Sequence, residues 1–375
     1  MLYVQEDVAD HVLEMLYGGL EAMQVGEPWD ISTDIGPVID AEAQKEISDY
    51  CAKLTSEGRL LKKIKAPKDG HFVEPHIFKV SGIEELEREI FGPVLHVATF
   101  KAKNINKVVD AVNAKGFGLT FGLHTRMDTR VEEIGKRIKV GNFYVNRNQI
   151  GAIVGSQPFG GEGLSGTGPK AGGANYLPRF RVAKHDHKVE QTGQIGAIDI
   201  ATAFEEISSI EWVDRDDRAE ILGAAEPQMA KELPGPTGEF NRISYSPRGR
   251  ILAVGGGNDL IELSQAALLW GNRLVVVGTS LPSELARLKA AGAPISLIEG
   301  AVDPEKLDGL AIDGIALAGQ GEGIAQLRRA VAQLDGPIIS FVTSPNDIAG
   351  FVHERAVCID TTAAGGNASL LAQTS

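Results

Sequence analysis

The chain has 375 residues, of which 43% are hydrophobic and 23% are charged, so it can bury the cores of two or three globular domains. Its net charge of -13 argues against sequence-independent binding to nucleic acid or to an anionic membrane surface, because such binding needs clustered Lys and Arg. No apolar run reaches the roughly 18–20 residues of a transmembrane helix, and the start has no signal-peptide pattern. The two cysteines are too few for a disulfide framework. We therefore expect a cytoplasmic protein.

The first part of the sequence predicts helices that alternate with strands. Apolar residues recur every three or four positions over residues 5–23, which predicts a helix, and Asp40 is a suitable N-cap for a second helix that ends before Gly58. Strand-like runs follow at 60–64, 94–100, 119–124 and 142–145, with helices near 104–114 and 129–138. Such alternation is typical of an α/β fold with a parallel sheet and flanking helices.

The second part predicts another α/β unit. After Phe180 the periodicity fades into a polar region, and we interpret residues 184–240 as a connector between a first domain at 1–183 and a C-terminal domain at 241–375. Strand-like runs in the C-terminal domain lie at 251–254, 274–277, 295–298, 315–317 and 338–342. Because helix-like stretches such as 282–290 separate them, they predict a doubly wound, Rossmann-like domain.

Three motifs of the first domain occur in a fixed order. They are Glu89-Ile90-Phe91-Gly92-Pro93-Val94, then Gly141-Asn142-Phe143-Tyr144-Val145-Asn146, then the glycine-rich stretch from Gly160 to Gly168 that follows Gln157-Pro158-Phe159. Together they resemble the second half of the aldehyde dehydrogenase family, from just past its nucleophile to the end. The resemblance implies that the first domain is a portion of an aldehyde dehydrogenase catalytic domain.

The resemblance assigns roles to two residues of the first motif. It implies that the Glu89 carboxylate accepts hydrogen bonds from the nicotinamide ribose hydroxyls of NAD and that Phe91 packs beside the nicotinamide ring. The chemistry agrees, because a carboxylate only accepts hydrogen bonds and so suits a diol, and an aromatic face suits a flat heterocycle. On residue type alone, a surface glutamate and a core phenylalanine would be the ordinary interpretation.

Residues 148–159 occupy the place where this family holds its aldehyde. They look most like the L-glutamate-γ-semialdehyde (1-pyrroline-5-carboxylate) dehydrogenase branch. That likeness implies that the backbone N–H groups of Gly151 and Ala152 bind the substrate carboxylate, and that Phe159 covers the aliphatic part. Glycine permits the close backbone approach that an oxyanion requires. The alternative interpretation is a glycine-rich surface turn.

No catalytic residue is assigned within the chain. The family attacks its aldehyde with a cysteine thiolate, but Cys51 lies on an apolar helical face and Cys358 in an apolar strand-like run, which favours core positions. The nucleophilic cysteine and the general-base glutamate are therefore expected upstream of Met1. We expect the chain by itself to be inactive.

Two weaker signals lie in the second part. His185 and His187 stand in a polar connector, where histidines are usually solvated, so we predict no metal site. The stretch from Gly255 to Leu260 follows a strand and opens a helix like a dinucleotide loop, but Leu260 replaces the third glycine and the next strand does not end in an acidic residue. A nucleotide bound by this loop alone is a third, weaker interpretation.

The C-terminal domain resembles a degenerate copy of the cofactor-binding half of the same family. Asn258 matches the asparagine of the family's oxyanion hole. However, Gly278, Ser344 and Ala368 stand where the family's lysine, general-base glutamate and nucleophilic cysteine are expected. A copy with these replacements should not catalyse.

Together, the two domains resemble the C-terminal part of the proline utilization A family, bacterial multifunctional flavoenzymes of proline catabolism. The resemblance implies that the complete protein oxidises L-glutamate γ-semialdehyde to glutamate with NAD, is a homo-oligomer, and binds FAD only in a proline dehydrogenase domain upstream. The missing N-terminal half of the dehydrogenase would then be a partner of this chain. The alternative is a non-catalytic structural or assembly module built on a degenerate dehydrogenase scaffold.

Overall fold

A computed structural model describes residues 1–180 and 193–362. Contacts within the chain divide it into two compact units, Met1–Lys115 and Gly116–Ser375. Each unit contains one or more sheets with helices packed against them. The predicted α/β class is therefore confirmed.

The first unit is built around one mixed sheet. Its elements are β1 (Leu2–Gln5), α1 (Ala9–Ala22), α2 (Ala41–Ser56), β2 (Leu60–Lys63), β3 (His76–Lys79), β4 (Val94–Phe100) and α3 (Ile105–Ala114). The strand order is β1-β4-β3-β2, in which β4 runs parallel to both of its neighbours and β2 joins β3 antiparallel. The predicted strands at 60–64 and 94–100 are confirmed, whereas β1 and β3 are short strands that the apolar pattern does not indicate.

Helix α2 shows how the sequence sets an element boundary. The Asp40 side chain accepts a hydrogen bond from the Ala43 amide at 2.8 Å, which is the N-cap arrangement that the sequence predicts. The buried face of α2 consists of Ile47, Cys51 and Leu54. This face packs against Phe78 of β3, because positions three and four apart share one side of a helix. Helix α1 packs on the apolar cluster of the opposite face of the sheet.

The second unit contains more elements. It begins with β5 (Phe117–Gly118), β6 (Thr120–Leu123), α4 (Asp128–Arg137), β7 (Asn142–Val145) and β8 (Glu162–Gly163). It continues with α5 (Ala197–Glu206), α6 (Arg215–Leu222), β9 (Ala230–Leu233), β10 (Glu239–Pro247), β11 (Arg250–Gly255), α7 (Gly257–Leu269), β12 (Arg273–Gly278), α8 (Ser283–Ala290), β13 (Ile295–Glu299), β14 (Gly314–Ala318), α9 (Glu322–Val331), β15 (Ser340–Val342) and β16 (Val352–Asp360). Within the described residues, these strands form two larger sheets and the short β5-β8 pair.

A mixed sheet joins distant parts of the sequence. Its strand order is β6-β7-β16-β10-β9. Strand β7 lies between β6 and β16 and runs parallel to both, while β10 runs antiparallel to β16 and β9. The register places Cys358 of β16 opposite Tyr144 of β7. All four residues of β7 are buried, as expected for a central parallel strand that is covered on both faces.

The other large sheet is parallel throughout, with the strand order β13-β12-β11-β14-β15. Along β11, Leu252 and Val254 enter the apolar layer that contains α5 and α9, whereas Ile251 and Ala253 enter the layer that contains α7 and α8. This alternation is the two-residue period of a strand. Burial on both faces explains the continuous apolar runs in the sequence. The predicted doubly wound, Rossmann-like domain is confirmed.

The segment interpreted as a connector is partly folded. Helices α5 and α6 and strand β9 lie within residues 184–240, and Ile200 and Phe204 of α5 are buried against the parallel sheet. The contact division after Lys115 also lies elsewhere than the predicted boundaries at 183 and 240, because β10 and β16 share a sheet with β6 and β7. Those boundaries describe sequence modules and stay predictions.

Candidate substrate and cofactor residues

The loop after β7 carries the residues predicted to bind the aldehyde. Strand β7 ends at Val145, and Asn146 then adopts a positive φ of 56°, which asparagine tolerates better than most residues. The Asn146 amide donates to the Leu123 carbonyl of β6 at 2.9 Å, and the Asn146 side-chain oxygen accepts from the Thr125 amide at 2.9 Å. These bonds fix the point at which the loop leaves the sheet.

A single β-bridge closes the loop. Ile153 and Gln157 exchange backbone hydrogen bonds of 3.1 and 2.8 Å. Gly151 precedes the bridge with φ at 138°, a conformation that favours glycine, and its carbonyl accepts from the Tyr144 hydroxyl at 2.8 Å. Among the described residues, the amides of Gly151 and Ala152 donate to no other protein group. Ala152 is exposed and Gly151 is half-buried, so the loop is open to solvent at these two residues.

Polar side chains anchor both ends of this loop. Glu239, the first residue of β10, accepts from Nη1 of Arg147 at 2.6 Å and from Nε2 of Gln157 at 2.8 Å. The same Nη1 atom of Arg147 lies 2.9 Å from Sγ of Cys358 in β16. The sequence reasoning missed Arg147 and Glu239. The position of Arg147, directly after the second motif, was the one signal that could have indicated it.

Phe159 follows the bridge and begins a glycine-rich hairpin. Its backbone exchanges hydrogen bonds of 3.0 and 2.9 Å with Ala171. Asn142 of β7 fixes this end of the hairpin, since its Nδ2 donates to the Pro158 carbonyl at 2.9 Å and its Oδ1 accepts from the Gly160 amide at 3.1 Å. Phe159 is half-buried, so part of the residue stays open to solvent and to a ligand.

A buried lysine that the sequence reasoning also missed supports the hairpin. Lys170 is 2% exposed, and its ammonium donates to Oδ1 of Asn142 at 3.0 Å and to the Gly160 carbonyl. The Lys170 amide donates to Oε2 of Glu354 in β16 at 2.8 Å. Burial lowers the pKa of Lys170 to about 8, because a buried site disfavours the charged form. The hairpin that presents Phe159 is thus attached to both β7 and β16.

Glu89 and Phe91 lie in the first unit, just before β4. Both residues are exposed, and Phe91 keeps 82% of its surface in solvent, whereas Ile90 between them packs toward the core. A Cβ atom on Gly92 would lie only 2.7 Å from Cδ1 of Ile47, so glycine allows this close packing. Phe91 is therefore not a core residue of its unit, and an exposed carboxylate beside an exposed aromatic ring suits the predicted ribose and nicotinamide contacts.

The predicted site residues fall into two groups. Glu89 and Phe91 belong to the first compact unit, and Gly151, Ala152 and Phe159 belong to the second. The structure brings the latter three to the two sides of one bridged turn. The role assigned to each of the five residues stays a prediction.

Both cysteines are core residues, as the sequence indicated. Cys51 and Cys358 are each 3% exposed. Burial raises the pKa of each thiol to about 11, so both stay protonated near neutral pH. A buried, protonated thiol is a poor nucleophile, which agrees with the expectation that the attacking cysteine lies elsewhere.

The structure describes some of the residues by which the C-terminal domain departs from the family's cofactor-binding half. Leu260, at the position of the third glycine of a dinucleotide loop, is fully buried in the layer that contains α7, and Asn258 is exposed. Ala368, His185 and His187 lie outside the described residues.

In the described ranges, no group of three or more His, Cys, Asp or Glu side chains could hold a metal ion. Across those same ranges, no helix combines the length and apolar character that crossing a membrane requires.

Comparison with known proteins indicates a class for the first part of the chain. Residues 1–185, just under half of the 375 residues, match the aldehyde dehydrogenase family. The chain is 34% identical to the bifunctional protein PutA of Escherichia coli (strain K12) over 99% of its length, which is 30% of that protein. This likeness confirms the resemblance to the proline utilization A family. The chain thus spans about a third of the length of the PutA relatives it matches.

Two further comparisons agree. The 1-pyrroline-5-carboxylate dehydrogenase of Geobacillus sp. (strain WCH70) is 40% identical over 48% of this chain and 35% of that protein. The structure of proline utilization A (PutA) from Corynebacterium freiburgense is 22% identical with a TM-score of 0.62, and the match covers 96% of this chain and 35% of that chain. The second comparison shows that the fold is shared along nearly the whole chain.

Proposed function

We propose that this chain is part of an NAD-dependent L-glutamate-γ-semialdehyde dehydrogenase of proline catabolism, and that it supplies the loop that binds the aldehyde. The observation that carries the proposal is the pair of unengaged amides at Gly151 and Ala152, beside the half-buried Phe159. The nucleophilic cysteine and the general-base glutamate come from an upstream part of a larger protein. The names and lengths of the PutA relatives support this division.

The loop suits the acid end of the substrate. Two N–H groups that no protein acceptor uses can both donate to one carboxylate, and each hydrogen bond to a charged group contributes about 1.5–3 kcal/mol. Glycine adopts the positive φ of 138° at position 151 without steric cost. Phe159 covers the aliphatic carbons between the carboxylate and the aldehyde. The site therefore selects an aldehyde that carries a carboxylate over a plain aldehyde of similar length.

The first unit contributes two contacts to the cofactor. Glu89 accepts hydrogen bonds from the ribose hydroxyls, and Phe91 packs beside the nicotinamide ring, which fits the exposure of both side chains. When bound, NAD accepts the hydride from the reacting carbon. In this proposal, FAD is bound only by a proline dehydrogenase domain upstream, and the C-terminal Rossmann-like domain has a structural role.

Complementation tests the proposal. The 375-residue chain is assayed for NADH formation from L-glutamate γ-semialdehyde, first alone and then joined to the upstream part of the larger protein. We expect activity only from the joined protein. There, Phe159→Ala should raise KM for the semialdehyde about tenfold because apolar coverage is lost, while Phe180→Ala, at an exposed phenylalanine of the same unit, should leave KM unchanged.

The possible results separate the two functions. A joined, folded protein that forms no NADH would refute the dehydrogenase and favour the non-catalytic assembly module. Activity that is insensitive to Phe159→Ala would show that the aldehyde binds at another place. NADH formation by the chain alone would refute the division of labour.

A further inference from the structure

Glu239 connects both ends of the loop that carries Gly151. Its Oε2 atom lies 2.6 Å from Nη1 of Arg147, and its Oε1 atom accepts a hydrogen bond from Nε2 of Gln157 at 2.8 Å. Arg147 and Gln157 precede Glu239 by 92 and 82 residues in the sequence, and they bracket the loop. One carboxylate from β10 thus holds the two ends together, in addition to the backbone bridge within the loop.

Gly151 lies between the two side chains that Glu239 holds. A Cβ atom at Gly151 would lie 3.3 Å from Oε1 of Gln157 and 3.4 Å from Nη2 of Arg147. Nη2 of Arg147 also donates to the carbonyl of the residue before Gly151 at 3.3 Å. The guanidinium carbon of Arg147 lies 5.5 Å from the centre of the Tyr144 ring, whose hydroxyl donates to the Gly151 carbonyl. Two of the side chains that flank the backbone around Gly151, those of Arg147 and Gln157, are therefore held by Glu239.

The surroundings of Glu239 strengthen the ion pair between its carboxylate and Arg147. The side chains of Glu239 and Arg147 are 17% and 19% exposed, so their ion pair is largely shielded from water. Exposed ion pairs are weaker, because water and salt screen the two charges. Asn241 donates to the same carboxylate at 2.8 Å. If Glu239 lost its charge, Arg147 would be left mostly buried without a counter-ion.

We infer that Glu239 is a positioning residue for the substrate loop, residues 147–157: it holds Arg147 and Gln157, and these hold Gly151 in the orientation that binds the aldehyde. The inference rests on the proposed function, because that proposal assigns the aldehyde to this loop. Its consequence is that the C-terminal region, which carries no catalytic group in this proposal, sets the affinity for the substrate through β10.

Glu239→Gln tests the inference, because glutamine keeps the shape of the side chain and removes its charge. In the 375-residue chain, hydrogen exchange is measured at the amides of Ile153 and Gln157, which are bonded across the bridge. We expect exchange there to become about tenfold faster, while the amides of β12 stay unchanged. Glu232→Gln, at an exposed position of the neighbouring strand β9, is the matched control and should change neither. Unchanged exchange at the bridge in Glu239→Gln overturns the inference.

Kinetics of the joined protein give a second readout. Glu239→Gln should raise KM for L-glutamate γ-semialdehyde about tenfold with kcat changed less than about threefold. KM for butanal, which has no carboxylate, should stay the same. Equal losses for both aldehydes, or an unchanged KM for the semialdehyde, overturn the positioning role. If the unaltered joined protein is inactive, the proposed function fails, and the exchange result still decides whether Glu239 holds the loop.

A second variant covers the case in which Glu239→Gln unfolds the unit, which faster exchange in β12 would reveal. Gln157→Met keeps the volume of the side chain and removes one of the two groups that Glu239 holds, while the pair with Arg147 remains. We expect faster exchange at the Ile153 amide with β12 unchanged. Exchange equal to that of the unaltered chain would overturn the inference by this route.

Discussion

Raising the pH from about 7 to about 9.5 should relieve the cost that the buried ammonium of Lys170 imposes on the stability of the second unit. Burial lowers its pKa to about 8, against about 10.4 in unfolded chains. Between these values the unfolded chain binds a proton that the folded chain does not, so the free energy of unfolding increases with pH. Below about pH 8 both states are protonated, and the whole cost of burying the charge is present.

The magnitude follows from the two pKa values. Their difference of about 2.4 units corresponds to about 3 kcal/mol of destabilisation at low pH. Titration of both states relieves about 2 kcal/mol of it between about pH 7 and about pH 9.5. The raised pKa of Cys358 in the same unit acts in the opposite direction above about pH 8.5, because the unfolded thiol ionises first. The raised pKa of Cys51 acts in the same way on the first unit. A comparison with a variant is therefore needed to isolate the contribution of Lys170.

Lys170→Met provides that comparison, because methionine is unbranched, adapts to irregular packing and does not titrate. Urea unfolding of both proteins at the two pH values should show a gain about 2 kcal/mol larger for the unaltered chain than for the variant. Lys136→Met, at an exposed position of α4, should follow the unaltered chain. The same pH dependence with and without Lys170 would refute the reasoning.

Two further substitutions test local structure by urea unfolding. Asp40→Ala should lower the stability of the first unit by about 1 kcal/mol, because it removes the N-cap of α2, and an unchanged transition would contradict the capping role. Gly141→Ala should destabilise the second unit by about 1–3 kcal/mol or more, because its Cβ would lie 1.8 Å from the Gly160 carbonyl oxygen. As a control, Gly135→Ala in α4 meets no atom closer than 3.4 Å and should be neutral or stabilising by about 0.5–1 kcal/mol. Equal effects of the two glycine substitutions would argue against the steric explanation.

The elements that the sequence predicts well are those with a strong apolar pattern. Strands β4 and β7 and the strands of the parallel sheet lie within two residues of their expected limits, since burial on both faces gives an unmistakable run of apolar residues. Strands β1 and β3 have four residues each, and polar residues at one end of β1 and at both ends of β3 shorten their apolar runs. Helix α5 was hidden because its apolar positions lie in an otherwise polar region whose glycines and prolines indicate a connector.

The site was predictable only as far as local motifs reach. Gly151 and Phe159 lie within or beside glycine-rich stretches that resemble the aldehyde dehydrogenase family, and the roles that this resemblance implies stay predictions. Glu239 and Glu354 could not be assigned, because they meet Arg147 and Lys170 across 92 and 184 residues of sequence. A strand's own residues reveal which faces are buried, but they do not reveal which strand lies beside it. The partners of a carboxylate at the start of β10 or within β16 therefore became visible only with the sheet order.

The insertion of β16 between β7 and β10 also sets an order of events during synthesis. Arg147 is made 211 residues before Cys358, which takes a ribosome about 10–40 s at its usual speed. During that interval one edge of β7 has no neighbour and can pair with strands of other nascent chains. A chaperone that covers this edge would protect the nascent protein. A premature stop codon before Val352 would leave every predicted substrate residue intact and yet remove the strand that pairs with β7, from which their loop extends.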